Sequence, residues 1–316
     1  MQSRGSIHER DARQVRAEGE NAIGPRLGHW LKEDYGASLE GNSLTMPVTR
    51  IEDIGSKWLE PYRNLRTSNL TRFSGRFIAE SKPLVDRLLA SELAVESVLI
   101  DEKFQEEAAA WIPPNVETLV VSSAMISELI GFHFHRGYLA CGLRPEYRSP
   151  DAFSLPFEES LSAPRKRWTG VMLVGVQDPE NMGSILRTCA ALGIAEIFLG
   201  PECVDPFARR VLRVSMGNAF KLNFFEVFEP LTMLSRFEAL GIESISACLS
   251  DDSEELSTFQ RRRDSVLLLG NEARGLPKEI QSRTNRRLEI RMDLSTDSLN
   301  VSVAAGIILH NLCRIC

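Results

Sequence analysis

Apolar positions along the chain fall into two series of short runs, each alternating with segments of helical spacing. In the first series, Phe77 to Ala79 predicts a short strand. Leu84, Val85, Leu88 and Leu89 then recur at helical spacing within Pro83 to Ala90, with Ser81 as the expected cap and Pro83 in the first turn. Val95 to Ile100 reads as a strand, Glu102 to Trp111 as a helix, Thr118 to Val121 as a strand and Ala124 to Ile130 as a helix. Gly137 to Cys141 closes the series before Arg148-Ser149-Pro150, and the alternation implies a small α/β sandwich.

The second series begins with a buried strand over Trp168 to Val176 and a helix over Met182 to Leu192. Further strands are expected over Glu196 to Leu199, Leu222 to Val227, Ile242 to Cys248, Val266 to Leu269 and Arg287 to Arg291. Helices are expected over Arg209 to Val214, Leu231 to Leu240, Pro277 to Ser282 and Leu299 to Leu312. This is the pattern of a mostly parallel sheet with helices on both faces, whose ligands bind in loops beyond the strand carboxyl ends. Between the two series, Pro150 to Arg167 carries Pro150, Pro156, Pro164, serines and acids, and reads as a linker. Residues 1–45 are charged and lack periodicity, so a flexible extension is expected there, ending near Met46; Pro47 to Arg63 is a lead-in containing a helical turn. The expected organisation is therefore an extension over 1–45, one domain over 46–149, a linker over 150–167 and a second domain over 168–316.

Composition narrows the class. With 316 residues, 43% apolar and 25% charged, the chain suits two soluble globular domains. The longest apolar run, Val301 to Leu309, is interrupted by Ser302 and Gly306 and is too short to span a bilayer. The amino terminus has no apolar signal core, so a cytoplasmic protein with no membrane partner is expected. Of the six cysteines, only Cys313 and Cys316 form a C-x-x-C pair, and no second pair completes a zinc site. No metal is expected. His133 and His135 flank Phe134 without a cysteine or acid at metal spacing, and read as structural or RNA-facing.

A net charge of −6 weighs weakly against a nucleic-acid partner, but screening makes local charge decisive. Pro61 to Arg76 holds Arg63, Arg66, Arg72 and Arg76, no acid, and interleaved Asn, Ser and Thr. That mix suits phosphate and sugar contacts, and by itself equally suits a solvated surface.

Three loops of the second series each follow a strand and open a helix: Val176-Gln177-Asp178-Pro179-Glu180-Asn181 through Arg187, Leu269-Gly270-Asn271-Glu272 through Pro277, and Ile290-Arg291-Met292-Asp293 through Ser298-Leu299-Asn300-Val301-Ser302. Singly, each has an ordinary reading as a turn or a helix cap, with Asp297 or Ser298 capping the last helix. The glycine fingerprints of dinucleotide and nucleoside-triphosphate sites are absent.

Together, and in this order, the runs D-P-x-N-x-G-x-x-x-R, L-G-N-E-x-x-G-L and I-x-M through S-L-N-V-S-V-A resemble the SpoU/TrmH family of SPOUT-class RNA 2′-O-ribose methyltransferases, over about residues 168 to 316. The first domain resembles the family's ribosomal-protein-like α/β substrate-binding domain at Arg76 to Glu80 and at His135-Arg136-Gly137-Tyr138-Leu139-Ala140. The resemblance implies a trefoil-knot domain that binds S-adenosylmethionine, a homodimer, and an rRNA or tRNA substrate. It implies cofactor contacts at Leu268, Gly270, Ile290 and Leu299. Asn181 would orient the first loop, Glu272 would position an arginine or brace a subunit contact, and Ser298 and Asn300 would fix the target nucleotide or the third loop. Arg187 is the family's general base; because a guanidinium is essentially never deprotonated in water, a phosphate clamp orienting the hydroxyl is the more conservative role. Arg314, about four turns beyond Asn300 on the same helix, is a further RNA candidate, and Arg213, Ser215 and Gly217 fall in a family-like R-x-S-x-G run. The competing expectation is a non-catalytic RNA-binding protein of ribosome assembly; a third is methylation of a base.

Overall fold

The computed structural model describes residues 48–65, 74–155, 167–250, 252–295 and 297–314. The extension expected over 1–45, Met46, Arg66, Arg72, residues 156–166 of the expected linker and Cys316 lie outside them.

The first sheet contains β1 (Val48–Arg50), β2 (Arg76–Glu80), β3 (Val95–Asp101), β4 (Thr118–Val121) and β5 (Tyr138–Leu143) in the order β1-β4-β3-β5-β2. β1, β4 and β3 run parallel, and β5 and β2 join antiparallel. Its helices are α1 (Lys82–Leu89), α2 (Gln105–Ala109) and α3 (Ser123–Ile130). Val98, Leu99 and Ile100 of the central strand β3 are apolar without alternation because both faces are covered. Val98 and Ile100 pack with Phe77, Leu84 and Val120 on one side, whereas Leu99 packs with Ile78, Leu119 and Ile126 on the other.

Two local expectations change. Ser81 occupies the cap position of α1, but its side chain makes no capping bond; at φ 102° it turns the chain and its N–H donates to the Tyr138 carbonyl. The helix expected over Glu102 to Trp111 divides into a 3-10 turn over Glu102–Phe104 and the short α2. The lead-in, read as a helical turn, also supplies the three-residue strand β1, a length at which no period is legible.

The second sheet is wholly parallel. It contains β6 (Thr169–Leu173), β7 (Glu196–Leu199), β8 (Asn223–Glu226), β9 (Glu243–Ala247), β10 (Glu254–Glu255), β11 (Ser265–Leu269) and β12 (Arg286–Glu289), ordered β10-β12-β9-β11-β6-β7-β8. Alternate residues of its strands serve opposite faces. Leu267 and Leu269 of β11 pack with residues of α4 (Pro179–Ala191), α5 (Arg209–Val214) and α8 (Val301–Arg314). Val266 and Leu268 pack with residues of α6 (Pro230–Ala239) and α7 (Lys278–Arg283). α4 and α5 approach closely because residue 183 is glycine: a Cβ there would lie 2.7 Å from the Val214 Cβ and 2.9 Å from the Val211 carbonyl oxygen.

The two sheets share one apolar core. The Phe77 ring of β2 lies 5.1 Å from Phe207 and 5.6 Å from Phe220, both beside the second sheet. The chain leaving β5 is likewise fastened: Arg148 N–H donates to the Phe224 carbonyl, and buried Phe153 packs against Trp168, Phe198 and Phe225. From β6 the chain builds outward through β7 and β8, then crosses to β9 and inserts β11 beside β6. The strand order therefore reverses between β6 and β11, which opens a crevice at their carboxyl ends.

Candidate active site

Each of the three loops leaves the carboxyl end of a strand in this region: Gly175 to Asp178 after β6, Gly270 to Pro277 after β11, and Ile290 to Asn300 after β12. They converge on Asn181. Its Nδ2 donates to Glu272 Oε1 at 3.1 Å, and its Oδ1 accepts from Asn300 Nδ2 at 2.9 Å. The order of donors follows from chemistry. An ionised carboxylate only accepts, so the Asn181 amide must turn its nitrogen to Glu272 and its oxygen to Asn300. Asn300 must then present its own nitrogen, leaving its oxygen for the N–H of Ser302 at 2.9 Å and of Val303 at 3.4 Å, the unpaired donors opening α8.

Glu272 also accepts from the N–H of Asp178 at 3.1 Å and of Gln177 at 3.4 Å. Burial raises its pKa, but hydrogen bonds from its own backbone, the Asn181 side chain and the backbone of Asp178 and Gln177 outweigh that, and the net shift is downward. The carboxylate is held charged because donors from another loop surround it.

The second loop closes on itself. Asn271 and Gly275 exchange both backbone hydrogen bonds, and Asn271 Oδ1 accepts from the N–H of Ala273 and of Arg274 at 3.0 Å each. Asn271 Nδ2 donates to the Gly175 carbonyl at 2.8 Å, a second tie to the first loop. Position 270 requires glycine: a Cβ there would lie 2.3 Å from Gly275 C and Leu276 N, both backbone atoms. Around these loops lies a cavity of about 510 Å³ whose lining includes Gly270, Leu276, Ile290, Met292, Leu299 and Ile308. Its mixture of backbone groups from the second loop and apolar side chains suits a nucleoside-sized ligand.

Most expected site residues meet here. Gly270, Ile290, Leu299, Ser298, Asn300 and Glu272 line the cavity, and Asn181 is buried behind it. Leu268 is a correction. It is fully buried on the opposite face of β11, and Leu269 lines the cavity instead. Neither Asp297 nor Ser298 caps α8; Asn300 does, and the helix starts at Val301. Arg187 projects exposed from α4, outside the cavity lining. Ser215 is buried with its hydroxyl donating to the Leu212 carbonyl, Gly217 supplies a left-handed turn at φ 73°, and Arg213 is half-buried on α5, so that run shapes the end of the helix.

The described arginines of the acid-free stretch, Arg63 and Arg76, lie outside the cavity lining. Arg76 grips Glu96 with two nitrogens, at 2.5 and 3.1 Å, and hydrogen bonding to that carboxylate raises its already high pKa. Arg63 pairs with Glu60 at 3.0 Å and donates to the carbonyls of Ser56 and Ile54. Arg314 is exposed at the end of α8, 3.5 Å from His310 Nε2. The sequence reading missed the tie from Asn271 to Gly175, although Asn271 stands inside a quoted motif. It also missed Ala247, which ends β9, and Cys248 and Leu249, which follow it; all three line the cavity and carry no motif.

Residues 169–310, which hold all three loops, match the model of the SpoU rRNA Methylase family. The chain is similar to that family over this segment. It is 25% identical over 270 residues to the 23S rRNA (guanosine(2553)-2′-O)-methyltransferase RlmP of Bacillus subtilis, covering 84% of this chain and 99% of the relative. It is 29% identical over 268 residues to an uncharacterized tRNA/rRNA methyltransferase of Mycobacterium bovis, covering 81% and 88%. Among solved structures, the AdoMet-bound rRNA methyltransferase of Sinorhizobium meliloti superposes with a TM-score of 0.70 at 24% identity, over 84% of this chain and 98% of that one. This last likeness shows a shared fold that extends through both sheets. Within the SpoU-family segment, the linked side chains Asn181, Glu272 and Asn300 come one from each motif. Among the described residues, no helix is long and apolar enough to cross a membrane.

Proposed function

We propose that the chain is an RNA 2′-O-methyltransferase that uses S-adenosylmethionine to methylate a ribose hydroxyl in structured rRNA or tRNA. The linkage of Glu272, Asn181 and Asn300 around the cavity carries this reading. A pocket shaped by three separate loops, held by a fully specified donor and acceptor chain, is preorganised for one ligand.

The cavity fits the cofactor: Gly270 lets the backbone of the second loop close in, and Leu276, Ile290, Met292 and Leu299 offer apolar surface to an adenine face. Bound S-adenosylmethionine supplies an electrophilic methyl group. The protein's part is to hold the ribose hydroxyl in line, which contributes up to about 7–11 kcal/mol in well-oriented cases. Arg187, exposed on the helix that begins at the first loop, clamps the phosphate beside the target ribose and so orients its hydroxyl. Asn181, Glu272 and Asn300 bond one another, so they are positioning residues. Ser298, exposed on the cavity rim, is the hydroxyl of the third loop that meets RNA. The first sheet and its helices are the substrate-binding domain.

A homodimer is part of the proposal. Val303 and Ile307, one turn apart on α8, are exposed apolar side chains on a helix whose opposite face is buried. The reaction is placed in the cytoplasm, in keeping with the unbridged thiols of Cys141, Cys189, Cys203, Cys248 and Cys313.

The test is incubation of the purified chain with labelled S-adenosylmethionine and total RNA, followed by nucleoside mass spectrometry and cofactor calorimetry. A 2′-O-methylated nucleoside with cofactor heat is expected. RNA binding without cofactor heat would favour the ribosome-assembly reading, and a base-methylated nucleoside would move the reaction off the ribose.

A further inference from the structure

The loop joining α3 to β5 carries a feature that the catalytic reading does not use. Phe134 is buried at 5% exposure and anchors the loop, while His133 and His135 on either side of it are exposed. Their rings are 6.2 Å apart with planes within 8° of parallel. That is near the ~6.6–6.8 Å separation of alternate residues on one side of an extended chain. It is also near twice the ~3.4 Å rise of stacked bases. Neither ring has a hydrogen-bond partner among the described residues. Among those residues, no group of three His, Cys, Asp or Glu side chains could hold a metal.

The loop is pinned toward the catalytic half. Arg136 Nη1 lies 3.4 Å from Glu80 Oε1, and Arg209 Nη1 of α5 lies 3.7 Å from the other oxygen of that buried carboxylate. The Arg209 guanidinium also sits 5.2 Å over the Phe132 ring. The next residue, Arg210, pairs with Glu180, which directly precedes Asn181. A line of contacts thus runs from the exposed imidazoles to the first catalytic loop.

We propose that His133 and His135 form a stacking platform for unpaired bases of the RNA, with Arg136 touching the adjoining phosphate, so that the substrate is a loop or bulge rather than continuous duplex. The inference rests on the methyltransferase reading for its substrate class. Flat faces without hydrogen bonds recognise the faces of bases, which a paired A-form helix hides. Burial of Phe134 holds both rings outward without help from a ligand. Arg136 pairs with Glu80 through one nitrogen, while its side chain stays 44% exposed.

The experiment measures binding of the full-length chain to two fluorescent RNAs with the same stem, one a hairpin with an unpaired loop and one fully paired. The wild type should prefer the hairpin. The double variant H133A/H135A should lose roughly 10- to 100-fold on the hairpin and little on the duplex. H133F/H135F, which keeps flat rings, should restore hairpin binding, and cofactor calorimetry on each variant checks that the catalytic half is folded. No wild-type preference for the hairpin, or an alanine variant that binds it as the wild type does, would overturn the platform, as would equal loss on both RNAs. A chain that prefers the hairpin but gives no cofactor heat would sink the methyltransferase reading and leave the platform standing.

Discussion

The carboxyl edge of the second sheet and the surface of the first use their charged and polar side chains in opposite ways. At the site, Glu272, Asn181 and Asn300 bond partners 91 and 119 residues away in sequence. In the first sheet, Arg76 with Glu96, Arg63 with Glu60 and Arg50 with Glu102 are partly exposed ion pairs. Exposed pairs of that kind contribute about 0–1 kcal/mol each. In the site network the Asn181 amide is buried and would cost about 1–3 kcal/mol if left unpaired, whereas the Gln177 and Asp178 N–H groups are exposed. Density of arginine along a sequence therefore says little about which cations meet a ligand. What matters is whether the fold has already given them partners.

The contrast can be broken at several points. The largest effect is expected from Arg187→Ala, which should lower kcat by roughly 100- to 1,000-fold, as loss of a charge-positioning donor does. Its cofactor affinity should stay unchanged by calorimetry, because Arg187 lies outside the cavity lining. Full-rate transfer in a tritium assay would remove the clamp. Next comes Gly270→Val, whose side chain must displace the Gly275 and Leu276 backbone. Overpacking of about 1–3 kcal/mol should weaken S-adenosylmethionine roughly 10- to 100-fold in the same calorimeter.

Glu272→Ala strips an acceptor from Gln177, Asp178 and Asn181 at once and should cost about 1–3 kcal/mol in thermal unfolding, whereas Glu272→Gln keeps one oxygen and costs less. The same group fixes an acid dependence. Its folded pKa lies below the ordinary 4.5, so its stabilising contribution is complete above that value and is lost as pH falls through the folded one. Cofactor affinity should hold from neutrality to about pH 4.5 and decline below it, and Glu272→Gln should flatten the decline. A decline that persists in Glu272→Gln would place the titrating group elsewhere. Smallest is Arg76→Ala, expected to change stability by under about 1 kcal/mol and to leave RNA affinity within about twofold. A tenfold rise in the RNA KM would show that Arg76 leaves Glu96 for phosphate, and the contrast between the regions would fail there.

Particular residues show how far the sequence could be read. The apolar run Ser265–Leu269 identified β11, yet the leucine expected in the cavity was Leu268 and the one found is Leu269. In a strand buried on both faces, composition cannot set parity. Register does, here Leu268 opposite Met172 and Leu269 opposite Leu173 of β6. Likewise several polar residues precede α8, and only the reach of Asn300 to Asn181 shows which one caps it. Arg63 and Arg76 looked available because Glu60 and Glu96 lie outside the acid-free run.

The resemblance of three spaced motifs to one family tied them to one chemistry. The amino-acid order by itself determined where strands and helices alternate and that the second sheet is mostly parallel. These depend on local periodicity and short-range spacing, which survive without a partner. Only the folded chain decided which strand faces meet the cavity, which arginines already hold a carboxylate, and that the two sheets share one core. Those outcomes follow from contacts between residues far apart in sequence, where register and the choice of partner are set by packing.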